Sequence, residues 1–425
     1  MTAGRGRRRM REVRWGTLAV CACAFLIPVQ PVLAMPDGSP LRFAAADAVA
    51  PLVFLAALAR PRRRLPLGLA LLAGAIPLLA LFVTLWAGLD RSLSYYAFGK
   101  TAGLVYLTAL CLSATRCLEP GGESAVLRAL AEGGVWSAVI GLVAFAASLG
   151  GFDTPLVAGG RLCSTMLGDP NIYCSLLAVS LLIVVRDPRL SASARLARGA
   201  VLGLAILATG SRSGLVGTFA GLAASELVRS RDPWAAAARS IYFAACTALA
   251  GAGALMTGWG WHAADVLWEH TWRTWTVESR FDLYTRAWQQ FADHPVLGLG
   301  IGGFNELNTW DLGGHGEHFA VHNTYLWALV DLGLAGGFLI TGLVAAGIGW
   351  SALAARQRPA PEGAATIAAG IATLAMFNLF VDGFYQRHFW VLLACALALP
   401  RARRTAAVPA VMRARRALTV PAVVR

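Results

Sequence analysis

Lysine is almost missing from this chain: of 37 basic residues 36 are arginine, and Lys100 stands alone. Charge of any sign is scarce, 14% of 425 residues against 57% hydrophobic, which excludes an ordinary soluble globular domain. Acidic residues number only 23, so the formal net charge is +14. The eight cysteines show no zinc or redox spacing, and six lie in or beside apolar runs, where Cys acts as a small apolar residue. Cys163 and Cys174 are close enough in sequence to pair, but the expectation is that both stay free. Dinucleotide and Walker signatures are missing too, since "GLGIGGF" (298–304) lacks both the strand context and the Lys.

Long apolar runs are what the chain does have. Twelve reach or approach the ~20 residues that cross a bilayer: 15–34, 41–59, 65–87, 95–115, 133–150, 170–186, 196–209, 213–229, 240–258, 322–350, 363–381 and 388–400. Only helices fit this pattern, because an open sheet leaves backbone groups unpaired in lipid. The expected fold is all-α and polytopic, about twelve transmembrane helices, with a large external loop carrying surface-lying helices between spans nine and ten.

The arginines then set the orientation. "RGRRRMREVR", "RPRRR", "RDPRLSASARLAR", "RSRDPWAAAAR", "RQR" and the tail arginines fall on one side of a twelve-span arrangement. With Arg116 and Arg128 they make 28 basic residues on that side, leaving 9 for the other. By the positive-inside bias both termini are expected in the cytoplasm. The expected segments are a basic cytoplasmic N-terminus (1–14), spans one to nine (15–258), an external loop (259–321), spans ten to twelve (322–400) and a basic cytoplasmic tail (401–425). A nucleic-acid arm is the rival reading of the first arginines, rejected because they abut a span. The first span also has the layout of a signal peptide ending at Ala34. It is read as retained, because later helices need a packing partner.

The external loop gathers the polar chemistry. Residues 259–321 hold seven tryptophans and five of the seven histidines; His322 follows at the loop's end, and His388 begins span twelve on the same side. So aromatic a loop is not a disordered one. Between 262 and 295 apolar residues recur at three- and four-residue intervals, which predicts a helix ended by Pro295 and the following glycines. It is expected to lie along the membrane surface or to cap the bundle.

Three external arginines run against the charge bias: Arg161 in "GGRLCSTMLGDPN", Arg212 in "TGSRSG" and Arg280 in "ESRFDLYTRAW". Arg212 lies 14 residues after Arg198 and 17 before Arg229. At about 1.5 Å per residue those intervals reach about 21 and 25 Å, short of a hydrocarbon core of about 30 Å. Arg212 is therefore expected below the outer surface, where it needs a partner or a wet cavity. One reading is a structural pair, for example with Asp331. The other is an anion site, since fixed guanidinium donors suit phosphate oxygens. "GDPN" (168–171) reads as a turn capping span six, and Asn171 has a simple reading as part of that cap. His322-Asn323 then opens span ten. A neutral imidazole with pKa near about 6.5 accepts a proton from a hydroxyl at neutral pH, although a structural interfacial histidine is the competing reading.

"HNTYLWALVDLGLAG" resembles the His-Asn, nine residues, Gly-x-x-Gly pattern of the O-antigen ligase and polymerase superfamily, with His322, Asn323, Gly333 and Gly336 in place. "SRFDLYTRAWQQFADHPVLGLGIGGF" is similar to that family's external loop, and "TGSRSG" and "GRLCSTMLGDPN" to its earlier motifs. The resemblance covers about residues 160 to 350; the first 150 share only hydropathy. It implies a metal-independent, cofactor-free enzyme of the bacterial cytoplasmic membrane. Such an enzyme moves a glycan from an undecaprenyl-diphosphate carrier to an acceptor hydroxyl on a glycan, lipid or protein, with inversion. It also implies diphosphate-binding roles for Arg161, Arg212 and Arg280 and a base role for His322, with Asn323, Ser211, Asn171 and Asp331 in support. Near absence of lysine and an Arg-rich tail depart from the pattern and leave the acceptor open. The alternatives are a polymerase joining lipid-linked repeats and, from another class, a twelve-span secondary transporter. The transporter is disfavoured by the lack of an internal repeat and the collection of polar residues at one face.

Overall fold

The computed structural model describes residues 15–30, 32–34, 40–42, 44–60, 66–90, 95–163, 169–230, 234, 275–312, 315–318 and 320–400. The first eight helices are α1 (Trp15–Leu26), α2 (Ala45–Leu58), α3 (Leu67–Asp90), α4 (Tyr95–Cys117), α5 (Gly122–Leu149), α6 (Pro170–Arg186), α7 (Ala192–Ala208) and α8 (Arg212–Arg229). Five more follow: α9 (Trp275–Asp293), α10 (Gly303–Leu307), α11 (Thr324–Ala355), α12 (Ala364–Phe377) and α13 (Arg387–Ala398). Among the described residues strand content is limited to three two-stranded hairpins: β1 (Val32–Ala34) with β2 (Pro40–Arg42), β3 (Val157–Ala158) with β4 (Arg161–Leu162), and β5 (Thr309–Leu312) with β6 (His315–His318). The protein is mostly helical. Among the described residues four helices are long and apolar enough to cross a membrane, over Leu67–Gly88, Ala97–Cys117, Gly122–Leu149 and Thr324–Ala355, and five shorter apolar helices accompany them. The ninth expected span, 240–258, lies outside the described residues, as do the two terminal basic segments.

Several boundaries differ from expectation. The first span stops at Leu26, not residue 34, and the chain turns into β1 after Pro28. The fifth begins eleven residues early, at Gly122, directly after Gly121 in the left-handed region; its polar first turns hid the start. Hairpin β5–β6 was not foreseen, because its strands are only four residues long and β6, His-Gly-Glu-His, carries no apolar alternation.

Burial explains the layering. In α6 every side chain from Ile172 to Val184 is buried, and in α13 every one from His388 to Ala398. These two helices form the centre of the bundle. At the periphery α3 instead exposes Leu67, Leu71, Leu78, Phe82, Leu85 and Trp86, an apolar face suited to lipid. Small residues let the inner helices approach. A Cβ on Gly134 of α5 would meet Ser180 Oγ of α6 at 2.1 Å, and one on Gly221 of α8 would meet Thr373 Oγ1 of α12 at 1.9 Å.

Helix α11 is broken, and this break shapes one end of the bundle. Gly333 has φ 67° and ψ −167° inside the helix. Leu334 N, which in a continuous helix would bond Val330 O, donates to Pro295 O instead (2.9 Å). The freed carbonyls of Val330 and Asp331 accept from Leu299 N (2.8 Å) and Gly300 N (3.0 Å). The glycine-rich segment after α9 is thus threaded into a gap in α11. Only glycine fits both sides of the crossing: a Cβ on Gly333 would lie 2.1 Å from Val296 O, and one on Gly298 2.6 Å from Val330 O. Asp331, fully buried, seals the junction by accepting from Gly302 N (2.7 Å), Phe304 N (3.1 Å) and Trp327 Nε1 (2.7 Å).

Candidate functional site

Three helix N-termini meet at one end of the bundle, each with a capped first turn. Asp169 caps α6, accepting from Asn171 N (2.9 Å) and Ile172 N (3.3 Å), with Pro170 at the first helical position. Ser211 caps α8 through Gly214 N (3.1 Å). Asn323 caps α11, taking Tyr325 N and Leu326 N at 3.0 Å each. The positive ends of three helix dipoles therefore converge, which favours an anion there.

Arg161 is locked between two of these ends. Its Nε donates to Thr209 O at the end of α7 (2.7 Å) and its Nη2 to Asn171 Oδ1 (3.1 Å). Ser211 Oγ donates to the same Asn171 oxygen (2.9 Å). The "GDPN" turn caps α6 as expected, but Asp169 is the cap, and the Asn171 side chain is the joint between Arg161 and the α7–α8 turn. Close packing fixes that turn, since a Cβ on Gly214 would lie 2.0 Å from Cys174 Sγ. Cys163 and Cys174 are both buried free thiols.

Arg212 is the first residue of α8, at the turn between two short helices whose far ends carry the ion pairs Arg198–Glu132 and Arg186–Glu226. The pairing with Asp331 does not form, because the carboxylate is occupied by the three donors of the crossing. Asp331 acts on the site through the backbone it holds.

Arg280 arrives on α9, which lies across the mouth of α11. One face of α9 buries Ala287 and Phe291, while Phe281 and Trp288 point outward. The helix thus packs one face on the bundle and leaves an aromatic outer face. Tyr284, one turn beyond Arg280, donates to His322 O (3.1 Å) and is within 3.4 Å of Leu379 O. His322 takes φ 54°, the only positive φ of a non-glycine among the described residues. Such a conformation costs about 1–2 kcal/mol and persists only where the surroundings enforce it.

Electrostatics ties these groups together. Burial lowers the Arg161 pKa; Asp169 opposes the shift and Arg280 adds to it. Burial likewise lowers that of Arg280, with Tyr284 opposing and Arg212 adding. His322 is pushed below the ordinary histidine value by burial first and by Arg280 second, against Asp169 and Asp382. Arginine keeps its proton regardless, so the downward shifts register cations crowded into a partly dehydrated space. The three arginines and the imidazole therefore share one field. Asp169, Tyr284 and Asp382 are additions that the sequence reading missed. The Asp-Pro at 169–170 is a legible helix start, whereas Tyr284 and Asp382 reach the site only through tertiary packing.

Among the described residues no three His, Cys, Asp or Glu side chains gather closely enough to hold a metal ion. The arrangement can hold a multiply charged oxyanion and take a proton beside it. Residues 199–341 match the family model described as O-antigen ligase. The match supports the O-antigen ligase superfamily and indicates a ligase- or polymerase-type function in a membrane setting. It covers about a third of the chain, taking in Arg212, Arg280, His322 and the break in α11 at Gly333 and leaving Arg161 before it. No curated protein matches the chain.

Proposed function

We propose that this chain, as an O-antigen ligase-type membrane glycosyltransferase, moves a glycan from a polyprenyl diphosphate to an acceptor hydroxyl at the outer face of the cytoplasmic membrane. The observation that carries the reading is the meeting of Arg161, Arg212 and Arg280 with His322 at converging helix N-termini. The acceptor oxygen attacks the anomeric carbon as the bond from that carbon to the phosphate oxygen breaks. The electron pair leaves on the diphosphate, and a single displacement inverts the centre. Arg212 and Arg280, with Arg161, stabilise the growing negative charge.

His322 accepts the hydroxyl proton. Burial and Arg280 keep its imidazole neutral before substrate binds. A bound diphosphate offsets the guanidinium charge and raises the basicity of His322 when the proton has to be accepted. Tyr284 holds the histidine backbone, Asn323 caps the helix that follows it, and Asn171 and Ser211 hold Arg161 and the start of α8.

The test is transfer from a defined lipid-linked glycan in membranes carrying the full-length protein. His322→Ala is expected to lose about 10²–10⁴-fold in rate, and Arg212→Lys about 10²–10³-fold. Near-normal transfer by both variants at normal expression would remove the assignment.

A further inference from the structure

The helices that present the candidate site also have far ends, and those ends enclose a second charged feature. A cavity of about 800 Å³ opens there, between the end of α6, the end of α8, the end of α11 and the start of α12. Its volume is in the range of small-molecule sites, about 300–1,000 Å³. Five arginines line it, Arg128, Arg186, Arg229, Arg356 and Arg358, against two carboxylates, Asp187 and Glu362, which leaves a surplus of three positive charges.

The ion pairs show where that surplus sits. Arg186 pairs with Glu226, and Arg128 and Arg189 share Glu362 at 3.5 and 3.2 Å. Arg229, Arg356 and Arg358 make no ion pair among the described residues and stand exposed around the rim. Deeper in, Arg186 Nε is buried with no hydrogen-bond acceptor. Part of this charge answers the negative ends of α6, α8 and α11, since Arg186 and Arg229 occupy last turns. That role does not account for Arg358, which lies beyond the end of α11, or for the buried N–H left without an acceptor.

We propose that this cavity is a binding site for a phosphate-bearing anion, supplied by the headgroup of an acidic phospholipid in the leaflet opposite the candidate active site. Arg229, Arg356 and Arg358 meet the phosphate and Arg186 Nε donates from below. A lipid fits better than an acidic peptide from this chain, for two reasons. The cavity lies at the end of α11, one of the helices long and apolar enough to cross a bilayer. Gln357, on its wall, donates to Pro400 O (3.5 Å), so the segment that continues from here is the tail "RARRTAAVPAVMRARRALTVPAVVR", which has seven arginines and no acid. That sequence offers no carboxylate that could occupy the cavity as an anion.

The experiment compares the full-length protein with the variant Arg229→Gln/Arg356→Gln/Arg358→Gln, which keeps the tail and every site residue. Each is purified in mild detergent and titrated with phosphatidylglycerol, phosphatidylcholine or inorganic phosphate, with bound lipid counted by native mass spectrometry. A melting curve in detergent alone verifies that the variant is folded. The wild type is expected to retain phosphatidylglycerol in preference to phosphatidylcholine. Loss of each charge is expected to weaken that by about fivefold, so roughly a hundredfold for the triple variant. Equal phosphatidylglycerol retention by a folded variant, or no preference over phosphatidylcholine in the wild type, overturns the proposal. If inorganic phosphate displaces the lipid at matched concentration, the ligand is a soluble anion and the lipid assignment falls. If the variant unfolds, Arg358→Gln alone, on the loop past α11, gives the same reading with an expected fivefold effect.

Discussion

Replacing Gly333 by alanine tests the crossing that shapes this end of the bundle. The backbone there sits at φ 67°, ψ −167°, a region populated almost only by glycine, and forcing a side chain into it costs about 1–3 kcal/mol. The new Cβ would meet Val296 O at 2.1 Å, Val296 C at 2.5 Å and Leu297 N at 2.8 Å, all of them backbone atoms with no rotamer to escape into. The two segments must separate by more than about 1 Å to restore ordinary contact. Separation breaks the hydrogen bonds from Leu299 N, Gly300 N and Leu334 N, each contributing about 0.5–1.5 kcal/mol. The local loss is therefore roughly 3–7 kcal/mol. Hydrogen exchange of the Leu299, Gly300 and Leu334 amides reads it directly, and a loss of at least about 3 kcal/mol means exchange faster by a hundredfold or more. Gly342→Ala is the control, because its nearest neighbour is Leu72 Cδ2 at 4.0 Å. Wild-type protection of the three amides in Gly333→Ala would refute the account of the break.

Asp331→Ala leaves the Gly302 and Phe304 amides and the Trp327 indole without their acceptor, so a loss of about 3 kcal/mol or more is expected in thermal melts, at no cost in charge pairing with Arg212. Because burial and Arg280 depress the His322 pKa, the acid limb of kcat/KM should fall below about pH 6.5. Arg280→Gln should move that limb upward, and an unmoved limb would separate the histidine from the rate. In stability terms the depressed folded-state value leaves the His322 contribution intact above about pH 6.5, and it erodes as pH falls from there toward the folded value. Tyr284→Phe removes the hydroxyl that holds His322 O, with an expected cost of about 1 kcal/mol. A slip of the histidine should also lower the transfer rate by about tenfold at unchanged donor KM.

Much of the site was visible as one-dimensional spacing. The place of Arg212 at the turn between two short helices was legible in its spacing, 14 residues after Arg198 and 17 before Arg229. The ending of α9 before Pro295 was equally legible, since proline and glycine act through local backbone geometry. Asp331 was not. A carboxylate in an apolar run reads as a partner for a nearby cation, yet here its three acceptances come from backbone and indole groups almost thirty residues away or one turn back. No periodicity encodes a partner across a chain crossing. The same applies to Asn171, whose neighbours in sequence suggested a cap while its side chain served Arg161 and Ser211.

The amino-acid order alone determined the helical, membrane-type character and the excess of arginine over acid, because both follow from the solvation of apolar runs and from the charge each residue carries wherever it lies. It also determined which few polar residues stood out against that background. Tertiary structure decided everything that depends on two segments meeting. It broke α11 at Gly333 to admit another strand of backbone, and it turned three helix starts toward one point. It also laid the arginines at opposite ends of the same helices, beside an imidazole at one end and around a cavity at the other. Proximity between distant residues is set by packing, and packing is a property of the folded volume that no single stretch of chain contains.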